Sequence, residues 1–130
     1  MKQSGFRFSN PVVSKIDYQI HSEYKTDGTR VSIENAFKTN INRAPDSCSA
    51  VVELIIKIGD TDQTVSPFHI ELVIGASFKW DATYNEETVS DLLSINAPAL
   101  LLGYARPIVA TITSMSPYPT YNIPFYNFTV

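Results

Sequence analysis

The sequence predicts an α+β fold, a sheet of about four antiparallel strands covered on one face by a long C-terminal helix. Two patterns carry this expectation. Up to Trp80 apolar residues recur at every second position, as in strands with one packed face and one wet face. After Asn85 the spacing changes to that of a helix, and from Leu92 to Met115 that helix shows almost no polar face.

The elements follow in chain order. "VSKIDYQIH" sets Ile16, Tyr18 and Ile20 against Lys15, Asp17, Gln19 and His21, and "RVSIENAFKT" sets Val31, Ile33 and Phe37 against Arg30, Ser32, Glu34 and Lys38. Asp27 and Gly28 between them predict a turn joining the two strands. "VVELIIKI" places Val52, Leu54, Ile56 and Ile58 on one face, and the linker "GDTDQTVSP" leads to a partner strand as in a hairpin, with Asp60 and Asp62 as turn residues. That partner, "FHIELVIGASFKW", alternates over its whole length, with Gly75 permitting a bulge or a close approach.

Glu86 and Glu87 open the helix, where its positive dipole end favours acids. Asn96 is expected to cap a second helical segment with Pro98 in its first turn, and Pro107 with Gly103 predicts a kink. Leu101, Ala105, Ile108 and Ile112 are expected on the sheet. Leu100, Tyr104 and Thr111 then point outward, and 130 residues provide no second layer to meet them, so the outer face is expected to meet another subunit. The tail "SPYPTYNIPFYNFTV" has three prolines among five aromatics and no side-chain charge, which predicts an extended ribbon lying on an apolar surface.

Composition fits one globular domain over residues 1–130, with 44% hydrophobic and 18% charged residues. The net charge of −3 disfavours nucleic acid and anionic lipid as partners. A single cysteine, Cys48, and an opening without a long apolar run predict a cytoplasmic protein. A membrane helix over Leu92 to Met115 is disfavoured by Arg106, which would cost about 2.5–3.5 kcal/mol at its centre. No catalytic constellation, metal site or cofactor is expected: Cys48 has only His21 and His69 as partners for a dyad, His69 and Glu71 lack a third ligand, and no glycine-rich phosphate loop occurs.

Residues 101–128, "LLGYARPIVATITSMSPYPTYNIPFYNF", resemble the C-terminal helix and following segment of the SecB protein-export chaperones. The resemblance rests on the triplet Tyr104, Ala105, Arg106 and on Tyr118, Pro119, Asn122, Ile123, Asn127 and Phe128. It implies a homotetramer built from two dimers that holds non-native polypeptides without ATP and passes preproteins to the SecA translocase. Tyr118, Tyr121, Ile123 and Phe125 are then expected to line the client groove, with Phe78 and Trp80 behind them. Asp17 and Glu71 match an acidic SecA-docking patch, whereas His21 stands where the family has another acid. Arg106 is expected to make an ion pair or carbonyl contacts near a subunit interface formed with Leu100, Tyr104 and Thr111.

Two departures accompany the resemblance. "LLG" replaces an apolar-Phe-Pro sequence, and the residues stop after "NFTV" where many SecB proteins continue into a last helix and an acidic tail. SecA delivery is therefore a weaker expectation than client holding. A SecB-like chaperone dedicated to a toxin–antitoxin pair or another specific client is the near alternative. A scaffold with the same fold and a small-ligand binder using the sheet–helix cavity are further ones.

Overall fold

The longest alternating run forms the central strand, and everything else is arranged about it. The computed structural model describes residues 2–25, 32–59 and 66–129. Its strands are β1 (Phe6–Phe8), β2 (Val12–Ile20), β3 (Asn35–Arg43), β4 (Ser49–Ile58) and β5 (Phe68–Trp80). All pairings are antiparallel, and the sheet has five strands rather than about four. β1 and β2 both pair with β5, followed across the sheet by β4 and then β3. They behave as one interrupted edge strand. Between them Ser9 keeps the ladder closed, its N–H donating to the Ser77 carbonyl at 2.8 Å and its hydroxyl accepting from the Ser77 N–H at 2.9 Å.

This topology does not pair the two strands that were expected to be joined directly. β2 and β3 lie at opposite edges of the sheet, so no hairpin can join them. Asp27, Gly28, Arg30 and Val31 themselves, with Asp60 and Asp62, lie outside the described residues. β3 also starts at Asn35, beyond Ile33, and continues to Arg43 because its residues follow β4 without a register shift.

The inner face of the sheet is the core. Val52, Leu54, Ile56 and Ile58 on β4 and Ile70 and Leu72 on β5 have no exposed surface. Removing such side chains from water is worth about 1.5–3 kcal/mol each, which makes the two central strands the stable part of the molecule.

The helix is one rod with an internal irregularity. It consists of α1 (Glu86–Asp91), a π-helical turn (Leu92–Asn96) and α2 (Ala97–Ser114). Asn85 caps α1, its side-chain oxygen accepting from the Thr88 N–H at 2.8 Å. Asn96, expected to be a cap, makes no capping hydrogen bond and has helical backbone angles. A proline at Pro98 has no N–H to give and crowds the carbonyl four residues back, and the wider π-turn accommodates it by bonding the Ala97 N–H to the Leu92 carbonyl. α2 then continues through Pro107 to Ser114.

The 29 residues from Glu86 to Ser114 are long and apolar enough to cross a membrane by composition. In this chain one side of that helix packs on β4 and β5 through Ala97, Leu101, Leu102, Ala105, Val109 and Thr113. The stripe therefore differs from the expected one: Ile108 and Ile112 are only partly buried, and Leu100, expected to point outward, packs partly against the core. Tyr104, at 45% exposure, and Thr111 do face outward.

Candidate functional site

Prolines and aromatics dictate the path of residues 115–129. Three prolines interrupt any regular ladder, and the segment is fixed largely by side chains. Thr113 begins it: its hydroxyl accepts from the Tyr121 N–H and donates to the Val109 carbonyl, both at 2.9 Å. Arg106 continues it, donating from Nε to the Ile123 carbonyl at 3.2 Å and from Nη2 to the Pro124 carbonyl at 2.8 Å. The buried part of this lone helix cation is thus satisfied by carbonyls of its own chain, and its outer face lies over the Phe125 ring at 5.1 Å.

The ribbon crosses the end of the sheet from edge to edge. Near β2, the Tyr118 ring meets Tyr24 edge-on at 6.0 Å. Beside it, His21 is buried and its Nδ1 lies 2.9 Å from the Ser66 carbonyl. In the middle Tyr121 stands edge-on to Phe68, and Ile123 enters the core at 5% exposure. At the β3 edge, Asn35 Nδ2 donates to the hydroxyls of Tyr121 and Tyr126 at 2.6 and 2.7 Å, and Phe37 contacts the rings of Tyr126 and Phe128. Burial pushes the Tyr121 hydroxyl above its ordinary pKa, so it stays protonated.

This arrangement separates the expected groove residues. Phe78 and Trp80 are core side chains at 1% and 5% exposure, and Ile123 joins them, so none of the three presents a surface. Tyr118 and Tyr121 are half-buried by their hydrogen bonds and ring contacts. Phe125 alone of the expected set is open, at 95% exposure. The sheet supplies further apolar surface that the sequence reading did not assign to the site. On the inner face of β3, four residues beyond the Phe37 that meets the ribbon, Ile41 is exposed, as is Tyr126 on the ribbon itself. Along β1 and β2, Phe8, Val13, Ile16 and Ile20 are exposed, and the Phe8 ring meets Tyr104 of α2 edge-on at 6.0 Å. α2 lies chiefly over β4 and β5 and the π-helical turn reaches β3, so the inner face is only partly covered towards its edges.

Electrostatics differ on the two faces. On the inner side Arg43 makes a two-pronged pair with Glu86 and stacks over Trp80 at 5.3 Å, tying β3 to the start of α1. The guanidinium holds the Glu86 carboxyl below its ordinary range. On the outer side the two expected docking acids, Asp17 and Glu71, are direct neighbours across β2 and β5. They do not form an acidic patch. Lys15 bonds Glu71 at 2.7 Å and Lys57 approaches it to 3.9 Å, while Gln19 donates to Asp17. The hydrogen bond from Lys15 and the charges around it hold the Glu71 carboxyl below its ordinary value. Among the described residues no cluster of three His, Cys, Asp or Glu side chains could hold a metal ion.

Comparisons with known proteins agree with this architecture. The chain is 31% identical over 83 residues to the protein-export protein SecB of Bartonella quintana (strain Toulouse), covering 62% of this chain and 51% of that protein. It is 35% identical over 79 residues to the protein-export protein SecB of Rhizobium etli (strain CIAT 652), covering 61% and 48%. The aligned region thus spans about half the length of these curated relatives. Among solved structures, the Rv1957 SecB-like chaperone of Mycobacterium tuberculosis, in complex with a ChAD peptide from the Rv1956 HigA1 antitoxin, superposes with a TM-score of 0.73 at 12% identity. That superposition covers 93% of this chain and 90% of the other, and shows the shared fold. The family described as preprotein translocase subunit SecB matches residues 19–130, from within β2 through the helix and the aromatic ribbon, and the chain belongs to the SecB family.

Proposed function

We propose that this chain is an ATP-independent holdase that binds non-native polypeptide on the uncovered apolar parts of the inner sheet face. One observation carries the reading: Phe125 and Tyr126 are exposed on an uncharged ribbon that packs on Phe37 of β3, the strand on whose inner face Ile41 is exposed as well. Contiguous exposed apolar surface marks an interaction site, and a client without fixed structure can fit it segment by segment. The chain's membership of the SecB family supports the reading, and the solved SecB-like chaperone is one bound to a peptide.

The second apolar strip, Phe8, Val13, Ile16, Ile20 and Tyr104, together with the outward side of α2, suits contact between subunits. Ala99, Gly103, Pro107 and Thr111 are exposed there and uncharged, which supports a homotetramer assembled as a dimer of dimers. Arg106 serves that interface indirectly, by holding the ribbon against the helix. We place the protein in the cytoplasm, with preproteins or a dedicated client such as an antitoxin as its cargo. Delivery to SecA is the narrower role, and the lysines around Glu71 and Asp17 favour holding over hand-over.

Light scattering of a reduced, unfolded client tests the proposal. Substoichiometric tetramer without ATP should suppress aggregation of several unrelated clients. Phe125→Ser combined with Ile41→Ser should reduce that suppression while leaving the assembly intact. A chain that suppresses no client, or a double variant as active as the parent, contradicts it.

A further inference from the structure

The register of the outer face places residues together that are far apart in sequence. Reading across the strands, Lys15 on β2, Val73 on β5, Ile55 on β4 and Lys38 on β3 form one row. The neighbouring row is Asp17, Glu71, Lys57 and Ala36. A half-buried valine–isoleucine pair is thus bracketed by two lysines, with a third diagonal to it.

The heights of these charges differ. Lys15, Lys38, Lys57 and Lys79 are all exposed, whereas Asp17, Glu53 and Glu71 on the same face are all partly buried. The Arg7–Asp81 pair at the rim cancels itself. Within β2–β5 four lysines stand against three carboxylates on this face, with exposed Glu34 just before β3 as a fourth, and the lysines are the more exposed groups of the strands. Lys38 has no ion-pair partner among the described residues, and Lys15 and Lys57 share the single carboxylate of Glu71. If Lys15 turns outward, Lys57 is already 3.9 Å from Glu71 and can take its place.

We infer that the outer face of the sheet docks an extended acidic segment of a partner protein, with the pattern acid–x–apolar–x–acid. Strands lie about 4.8 Å apart, so Lys15 and Lys38 are about 14–15 Å apart at their Cα atoms. Four residues of extended chain advance about 13–14 Å. Two carboxylates at that separation reach both lysines, and the apolar residue midway settles on Val73 and Ile55. Exposed ion pairs are individually weak, and the apolar contact gives the segment its position. Glu71 is a positioning residue that competes with the incoming carboxylate for Lys15. This surface faces away from the client-binding side and does not depend on the holdase reading.

Titration of the isotope-labelled full chain with a synthetic peptide, Glu-Ser-Val-Ser-Glu repeated twice, tests the inference by amide shifts. The acidic peptide should shift Lys15, Lys38, Ile55 and Val73, and a peptide with lysine in place of glutamate should not. Lys38→Glu should weaken binding about two- to fivefold, and Glu71→Gln should strengthen it. The parent and Lys38→Glu should unfold at similar urea concentrations, and the parent and both variants should suppress aggregation equally. Absence of acidic-peptide binding, preference for the lysine peptide, weaker binding in Glu71→Gln, no effect of Lys38→Glu, or tighter binding of a single-stranded oligonucleotide at the same residues would overturn it.

Discussion

Thr113 has no exposed surface, yet its hydroxyl does two jobs, accepting from the Tyr121 N–H and donating to its own helix. Replacing it with valine keeps the shape and leaves the Tyr121 N–H without that partner. Thr113→Val should therefore lower stability by about 1–3 kcal/mol, read from the urea midpoint, with proteolysis rising first in residues 116–128. The paired carboxylates set the acid limit. Glu71 and Glu86 are both held below their ordinary value near 4.5 by Lys15 and Arg43. In the unfolded chain they regain that value, so between the two values the unfolded state binds more protons. Their contribution is fully present above about pH 4.5 and is lost as pH falls through the lower folded values. A urea-unfolding series across acidic pH should show this decline, and Glu71→Gln with Glu86→Gln should flatten it.

At the scale of elements, the central strands and the period of the helix were legible, and their neighbours were not. β5 spans Phe68–Trp80 as its unbroken alternation predicts, because both flanking strands reinforce one buried face. The edge strands alternate just as well in Ile16, Tyr18 and Ile20, but alternation does not say which strand lies beside which. That is why a turn was expected between strands lying at opposite edges. The same limit hid the lysines over Glu71, since Lys15, Glu71 and Lys57 meet only through the cross-strand register. Arg106 and the ribbon were legible as a family pattern. Which aromatics remain open was not, because Asn35, Phe37 and Phe68 decide it from elsewhere in the chain.

The uncharged outer side of helix α2 is where the proposed assembly can be tested. A side chain added at Gly103 would meet nothing within 4 Å, so the chain's own fold tolerates a larger residue there. Gly103→Leu should leave secondary structure and monomer folding intact while reducing the assembled mass in sedimentation equilibrium. Unchanged mass would place the subunit contact away from this face.

The whole molecule is a sheet with two different sides: an inner face partly covered by its helix and an outer face of lysines over a thin apolar row. The account's central claim is that non-native polypeptide occupies the inner side, at the ribbon and β3. Hydrogen exchange of the full chain, with and without a reduced, unfolded client, tests it most directly. Binding should slow exchange in residues 35–43 and 118–129 and leave the amides of Lys15, Ile55 and Val73 unchanged. Protection confined to those outer-face amides and absent from the ribbon and β3, or no protection anywhere at saturating client, would contradict it.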